Sequence, residues 1–212
     1  MLSDLSLPYV LKVPSRRPDI DELPLVVVLH GRGADANDLS DLAPYLGEDY
    51  RFVFPNAPKP FQPMPGYSFG YTWFDGWPAD HMSLTASRKL LLQFLREITA
   101  RYPAPPGKVV LSGFSQGGLM SIDAGFRTEV ELAGIVVMSG ALYEQDLPPF
   151  RRLPVLITHG TEDDVIPILA AQRARSVLEE QGVDVEYHEF LMGHQVSEES
   201  MRTVASFLER VL

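Results

Sequence analysis

An α/β fold, with a mostly parallel central sheet and helices on both faces, is predicted by three features of this sequence. Short apolar runs alternate along the chain with apolar stripes at helical spacing. The run Leu25–Leu29 is continuously apolar and rich in valine, as expected of a strand buried on both faces. Strands that alternate with helices imply parallel crossovers. The length of 212 residues fits one such domain over residues 1–212.

The other elements are predicted from similar runs and from stripes with recognisable ends. Five further runs are expected to form strands: Arg51–Phe54, Lys108–Leu111, Leu132–Met138, Pro154–Ile157 and Val183–Phe190. Helices are expected at Leu91–Tyr102, Gln116–Phe126, Ala170–Leu178 and Met201–Leu208. Pro103 ends the first of these helices, Gly182 suits the C-terminal end of the third, and Ser197 suits the N-cap of the fourth.

Charge and cysteine content exclude several classes of protein. The chain has 28 acidic and 18 basic residues, a formal net charge of −10, which opposes binding to a nucleic-acid backbone. The basic pairs Arg16–Arg17 and Arg151–Arg152 are interpreted as solvated surface. The absence of cysteine excludes disulfides and zinc–thiolate sites and is compatible with the cytoplasm, where we expect the protein. We expect neither a transmembrane segment nor a signal peptide.

The segment Phe61–Trp77 interrupts the alternation of strands and helices. It holds seven aromatic residues in 17 positions, and its prolines and glycines are incompatible with a regular helix. A long irregular segment in a compact domain is often functional, and it can equally pack as a secondary core. The two interpretations are compatible, and the sequence leaves both open.

A nucleophile motif lies at Gly113–Gly117, whose sequence Gly-Phe-Ser-Gln-Gly fits G-x-S-x-G. A predicted strand precedes it and an apolar helix follows, which is the setting that holds a serine on a strained turn with its Oγ exposed. Ser115 is therefore the candidate nucleophile. The backbone N–H of Gln116, at the start of the helix, is a candidate oxyanion donor because helix N-termini carry unpaired N–H groups.

A serine hydroxyl needs a general base, and the base needs an orienting carboxylate. Enzymes with this motif place the serine first, the acid second and the histidine last. His188 and His194 both satisfy that order. His188 falls inside the last predicted strand, whereas His194 follows the strand in a loop and can reach the same edge of the sheet as Ser115. We therefore favour His194 as the base.

Two loops are expected to supply the remaining groups. Three adjacent carboxylates, those of Glu162, Asp163 and Asp164, follow the strand that precedes the histidine, and spacing alone does not choose among them. A second oxyanion donor is expected in the loop after an early central strand. The backbone N–H of Arg32, between Gly31 and Gly33, is the candidate, and the role of the Arg32 side chain stays open.

Together these motifs resemble the phospholipase/carboxylesterase family, the small α/β-hydrolases that include bacterial carboxylesterases and acyl-protein thioesterases. The matching pieces, which span the chain from about Pro24 to its end, are His30–Gly33, Trp73–Asp75, Gly113–Gly118, His159–Pro167 and Gly193–His194. The resemblance implies an α/β-hydrolase fold without a large cap. One departure concerns Arg32 and Ala34, where many members have leucine and an acid, and this difference affects the shape expected for the acyl pocket.

The resemblance also implies roles for individual residues. Ser115 would be the nucleophile and His194 the base. Asp163 would be the acid, because the family's acid lies four positions after the histidine of the His-Gly pair. The N–H groups of Arg32 and Gln116 would form the oxyanion hole.

We therefore expect a serine hydrolase that cleaves small acyl esters or thioesters through an acyl-enzyme, with no metal or organic cofactor. Trp73 and Ile166 are the expected walls of the substrate site. The alternatives are a lysophospholipase, a small serine peptidase and, from another class, a non-catalytic ligand-binding scaffold. The physiological substrate and the oligomeric state stay open, a homodimer included.

Overall fold

The computed structural model describes residues 1–14, 23–64 and 66–212, so Arg16, Arg17 and Pro65 lie outside the described residues. The described strands are β1 (Tyr9–Lys12), β2 (Leu25–Leu29), β3 (Arg51–Pro55), β4 (Lys59–Pro60), β5 (Tyr71–Thr72), β6 (Val109–Phe114), β7 (Gly134–Met138), β8 (Val155–Gly160) and β9 (Val185–Phe190). The α-helices are α1 (Ala43–Leu46), α2 (His81–Arg101), α3 (Gln116–Gly125), α4 (Ile168–Glu180) and α5 (Glu198–Val211).

Seven of the described strands form one sheet in the order β1-β3-β2-β6-β7-β8-β9. All neighbours in this sheet pair in parallel except β1, which pairs antiparallel with β3. The carboxyl ends of six strands therefore lie along one side of the sheet, here called the carboxyl edge. β4 and β5 form a separate antiparallel ladder of two residues each.

Helices cover both faces of this sheet because successive strand residues point to opposite faces. Leu25, Val27 and Leu29 of β2 pack in one apolar cluster with residues of α2, α3 and α4. Val26 and Val28 pack in a second cluster with residues of α1 and α5. Every residue of β2 is buried, which explains its continuously apolar sequence. The predicted mostly parallel sheet with helices on both faces is confirmed, and no large cap covers the residues that the structure describes.

Helix α2 begins at His81, ten residues before the apolar stripe from which it was predicted. Asp80 caps it by accepting a hydrogen bond from the Ser83 N–H at 2.8 Å. Within the first turns the buried residue Arg88 interrupts the apolar pattern. Its guanidinium binds both oxygens of Asp123 on α3, at 2.6 and 2.8 Å, and this pairing makes a charged residue compatible with a buried position.

The remaining predicted elements form with small shifts of their ends. Helix α5 is capped by Ser197, as predicted, with a reciprocal bond to Ser200. Strand β1 was not predicted, because it is a run of only four residues at the sheet's edge, and one residue alone, Tyr9, is buried. Within the described parts of the chain, no helix is long and apolar enough to cross a membrane.

Candidate active site

The turn between β6 and α3 holds Ser115 in a strained backbone conformation. Its φ of 56° and ψ of −118° lie outside the regions that residues with a Cβ ordinarily adopt. The turn is nevertheless anchored, since the Ser115 N–H donates to the carbonyl of Met138, at the end of the adjacent strand β7, at 2.9 Å. This serine thus lies at the carboxyl edge, immediately before the first residue of α3.

Close backbone contacts explain the two glycines of the motif. A Cβ on Gly113 would lie 2.2 Å from the carbonyl oxygen of Gly117, and a Cβ on Gly117 would lie 2.2 Å from that of Leu29. Neither position has space for a side chain. The sharp turn and its packing against β2 therefore require glycine at both sites.

Three side chains that are distant in sequence meet beside this turn. The Nε2 of His194 lies 2.9 Å from the Oγ of Ser115, and its Nδ1 lies 2.7 Å from the Oδ2 of Asp163. The carboxylate side chain is fully buried, and the imidazole is 15% exposed. A buried carboxylate at one ring nitrogen and a hydroxyl at the other is the geometry of a serine activated by a base.

The structure distinguishes Asp163 from its two acidic neighbours. Its Oδ1 accepts backbone N–H bonds from Val165 at 3.0 Å and Ile166 at 2.8 Å, which leaves Oδ2 directed at the imidazole. Glu162 and Asp164 are exposed. Burial and three hydrogen bonds hold this carboxylate in one orientation.

The alternative histidine, His188, lies within β9, as predicted, and is half-buried. Its Nε2 lies 2.9 Å from the carboxylate of Glu186 on the same strand. Among the described residues no hydrogen bond joins it to Ser115 or Asp163, both of which are bound by His194. The ring of His194 instead packs against that of Phe114, with centroids 4.9 Å apart.

Both candidate oxyanion donors lie next to the serine. Gln116 is the first residue of α3, and the Arg32 loop approaches Ser115 so closely that a Cβ on Gly31 would lie 3.4 Å from the serine Cβ. Among the described residues, neither the Gln116 N–H nor the Arg32 N–H has an acceptor. Two unpaired N–H groups beside a nucleophile can stabilise a developing oxyanion. The exposed Arg32 side chain lies over the ring of Phe61, with 5.4 Å from Cζ to the centroid.

The side chain of Gln116 joins this turn to the aromatic segment. Its Oε1 accepts hydrogen bonds from the Thr72 hydroxyl at 2.9 Å and the Trp73 N–H at 3.0 Å. Its Nε2 donates to the carbonyl of Phe74 at 2.9 Å. Sequence reasoning assigned only the backbone of Gln116 a role, since nothing in the sequence indicated which backbone its carboxamide would meet.

Trp73 and Ile166, the residues expected to line the substrate site, differ in their surroundings. Trp73 has no exposed surface, and its indole N–H donates to the carbonyl of His30 at 2.9 Å, so it packs as a core residue rather than lining a substrate site. Its size and aromaticity suit either role, and only its burial decides between them. Ile166 is 3% exposed and adjoins the Asp163 turn through its backbone. Its contact with substrate stays a prediction.

Two further histidines, each in a His-Gly pair at the carboxyl end of a strand, are buried at this edge. His30 follows β2, and its Nε2 accepts the Ala57 N–H at 3.0 Å while its Nδ1 donates to the carbonyl of Gly31 at 2.7 Å. His159 lies in β8 and contacts Asp163. Burial lowers the pKa of both histidines below the ordinary value, which favours the neutral imidazole. Sequence reasoning gave neither a separate role, although the repeated pair was a signal.

No cluster of three or more histidine, aspartate or glutamate side chains within the described ranges has the spacing to hold a metal ion. The carboxyl edge gathers a serine hydroxyl, an imidazole and unpaired N–H groups. A sequence model described as phospholipase/carboxylesterase matches residues 16–212 of this chain. The chain belongs to the phospholipase/carboxylesterase family.

Individual relatives agree with this family assignment. Acyl-protein thioesterase 1 of Mycosarcoma maydis is 30% identical over 220 residues, covering 87% of this chain and 89% of the relative. Lysophospholipase-like protein 1 of Mus musculus is 25% identical, covering 86% of this chain and 84% of the relative. The crystal structure of esterase PE8 superposes with a TM-score of 0.83 at 30% identity, over 99% of this chain and 100% of that one. The predicted family is thereby confirmed.

Proposed function

We propose that this protein is a serine hydrolase that cleaves carboxylic esters or thioesters of small acyl substrates. One observation carries the proposal. A single imidazole, that of His194, lies 2.9 Å from the hydroxyl of Ser115 and 2.7 Å from the buried carboxylate of Asp163. A base in hydrogen-bond contact with a nucleophile and an orienting acid is the arrangement required for covalent acyl transfer.

In the first half of the proposed reaction, the Ser115 Oγ attacks the substrate carbonyl carbon while Nε2 of His194 takes the hydroxyl proton. Asp163 accepts a hydrogen bond from Nδ1–H and stabilises the imidazolium that forms. The N–H groups of Arg32 and Gln116 stabilise the oxyanion of the tetrahedral intermediate. His194 then returns the proton to the departing alcohol or thiol, leaving an acyl group on Ser115.

Water completes the proposed cycle. His194 removes a proton from a water molecule, the resulting hydroxide attacks the acyl carbon, and the proton passes to Oγ as the carboxylic acid leaves. Each turnover therefore consumes one ester or thioester and one water and regenerates the free serine. The neutral form of His194 is the active base, so the rate rises as this imidazole loses its proton.

The names of the relatives favour acyl substrates with either an oxygen or a sulfur leaving group. Of those compared above, one relative is named as an acyl-protein thioesterase and another as a lysophospholipase-like protein. A panel of acyl esters, acyl thioesters, lysophospholipids and peptide amides of graded chain length would order these candidates. Turnover confined to the peptide amides would replace the esterase proposal with a peptidase.

Substitution of the proposed nucleophile tests the function directly. We expect Ser115→Ala to lower kcat for short p-nitrophenyl esters by at least about 10³-fold, because no other group then forms the acyl-enzyme. A fluorophosphonate probe should label the parent protein and not this variant. Ser176→Ala, an exposed serine on α4, is the matched control and should retain full activity. Undiminished turnover by a folded Ser115→Ala protein would reject the proposal.

The base is tested by pH. Turnover of the parent protein should rise with pH from about pH 5 to about pH 8, because a histidine accepts the serine proton only in its neutral form. The kcat of His194→Gln should be far below that of the parent protein. His188→Gln, a substitution in the preceding strand β9, should leave kcat unchanged. A flat profile across this range would remove His194 from the mechanism.

The proposal retains two expectations from the sequence. The compartment is the cytoplasm, whose reducing conditions are harmless to a chain that has no cysteine. The oligomeric state, monomer or homodimer, stays open, since the proposed site is built from one chain. Sedimentation of the purified protein would measure it.

A further inference from the structure

The imidazole of His159 contacts the carboxylate of Asp163, the proposed acid. His159 is part of β8 and has no exposed surface. Its Nε2 lies 2.8 Å from the carbonyl oxygen of Ile166 and 3.4 Å from the Oδ2 of Asp163. Because both neighbours of Nε2 are acceptors, the proton of the neutral ring belongs on this nitrogen.

The N–H of His159 donates one of the hydrogen bonds that hold the turn 163–166. The Ile166 N–H donates to Oδ1 of Asp163 at 2.8 Å, and the carbonyl of Ile166 accepts the bond from His159. Ile166, whose N–H fixes Oδ1, is thus itself held by a hydrogen bond from His159 of β8. These hydrogen bonds connect the carboxylate of Asp163 to strand β8 and fix its orientation, so that Oδ2 faces His194.

The same turn is attached to the loop that carries the base. The Glu162 N–H donates to the carbonyl of Met192 at 3.1 Å, and a Cβ on Gly160 would lie 2.2 Å from that carbonyl oxygen. The acid turn and the base loop are therefore in direct contact at the end of β8, where the side chain of His159 touches both the turn and the carboxylate.

We propose that His159 is a positioning residue, which holds the turn 163–166 so that Asp163 stays aligned with His194. The inference rests on the proposed function, since it assigns the acid and the base to those residues. His159 touches neither the nucleophile nor the space where substrate would react, and it acts through Asp163.

The charge state of His159 suits this role. Burial lowers its pKa, against the opposing influence of the hydrogen bond to the Ile166 carbonyl and of Asp163, and the proximity of His194 lowers it further. A neutral donor leaves the negative charge of Asp163 available to the imidazolium that forms on His194. A second cation at this position would compete for the same carboxylate.

The test compares two substitutions of His159 in the full-length protein. His159→Phe removes the N–H and keeps a ring, and we expect kcat to fall about 10- to 100-fold with KM unchanged, because a misaligned acid slows the chemistry without affecting binding. The acidic limb of kcat/KM against pH should move to lower pH, since the imidazolium of His194 loses part of its counter-charge. His159→Gln, whose carboxamide N–H can replace the donor, should restore most of kcat and the position of the limb.

A neighbouring residue of β8 provides the control for disturbance of the strand. Thr158 is buried, and its hydroxyl has no hydrogen-bond partner in the described chain, so Thr158→Val should keep kcat within about twofold of the parent. If His159→Phe does not fold, His159→Met takes its place as the variant without a donor. Far-UV circular dichroism and thermal unfolding of every variant establish that it is folded.

Each outcome decides for or against the proposal. A folded Phe or Met variant with parental kcat and an unmoved acidic limb would overturn it, as would a Gln variant no better than Phe. These failures differ from failure of the proposed function, which would show as turnover retained by Ser115→Ala or His194→Gln. If those two variants are inactive and His159→Phe is fully active, only the positioning role is lost.

Discussion

Two segments that the sequence marks as unusual, the nucleophile motif Gly113–Gly117 and the aromatic segment Phe61–Trp77, are stabilised in different ways. The motif is fixed by its backbone, since two of its residues have no space for a Cβ and a third has a positive φ. The aromatic segment is divided by burial. Trp73 and Phe74 have no exposed surface, whereas Tyr67, Phe69 and Trp77 are between 47% and 60% exposed.

This difference shows which kinds of sequence signal carry structural information. A motif whose residues are dictated by close backbone contacts specifies one conformation. A concentration of aromatic residues specifies only that some surface is to be buried or used. The expectation that the aromatic segment packs as a secondary core agrees with its buried part, and its functional role stays a prediction. The two segments are joined through the carboxamide of Gln116.

The largest expected effect contrasts one glycine from each segment. Gly117→Ala would place a Cβ 2.2 Å from the Leu29 carbonyl, so we expect it to lower the free energy of unfolding by more than about 4 kcal/mol and to abolish activity. Gly66→Ala has open space around the Cβ, although its φ is +84°, and should cost about 1–2 kcal/mol. Urea unfolding measures both. Equal losses would show that the motif is no more tightly held than the aromatic segment.

An intermediate effect separates the buried and exposed parts of the aromatic segment. Trp73→Phe removes the N–H that binds the buried carbonyl of His30 and leaves a smaller ring, and should lower the free energy of unfolding by about 1–3 kcal/mol. Trp77→Phe, at a side chain that is 47% exposed, should change it by no more than about 0.5 kcal/mol. The same urea experiment applies. A silent Trp73→Phe would mean that the indole bond contributes nothing to holding the segment.

A smaller effect is expected for the side chain of Arg32, which lies over the ring of Phe61. Arg32→Ala should lower the free energy of unfolding by about 0.5–1 kcal/mol, the ordinary contribution of an exposed cation–π contact. It should leave kcat unchanged because the proposed oxyanion donor is the backbone N–H. Arg32→Lys is the control that keeps the charge. A large fall in kcat for the alanine variant alone would assign the guanidinium a role in the reaction.

The elements that could be predicted are those whose residues are dictated locally. Strand β2 was predicted with its observed limits because five buried residues in succession are apolar. Helix α2 was predicted too short because the pairing of Arg88 with Asp123 on another helix lets a charged residue occupy a buried face. No local pattern reports a partner that lies 35 residues away.

Similar limits applied at the candidate site. The order of the motifs indicated Ser115 and His194, but the choice of Asp163 over its acidic neighbours came from the family resemblance. The geometry distinguishes it through the two backbone N–H groups that orient its carboxylate. The burial of Trp73 and the contacts of His159 depend on segments far apart in the chain, and they were not foreseen.

By itself, the sequence determined the kind of fold, the strained turn and the loops that hold chemically active groups, because apolar periodicity and close backbone packing act over a few residues. Only the tertiary structure decided which carboxylate meets the imidazole, which aromatic rings are buried and what holds the acid in place. Those outcomes depend on distances between residues that are remote along the chain, and such distances exist only after the sheet has assembled.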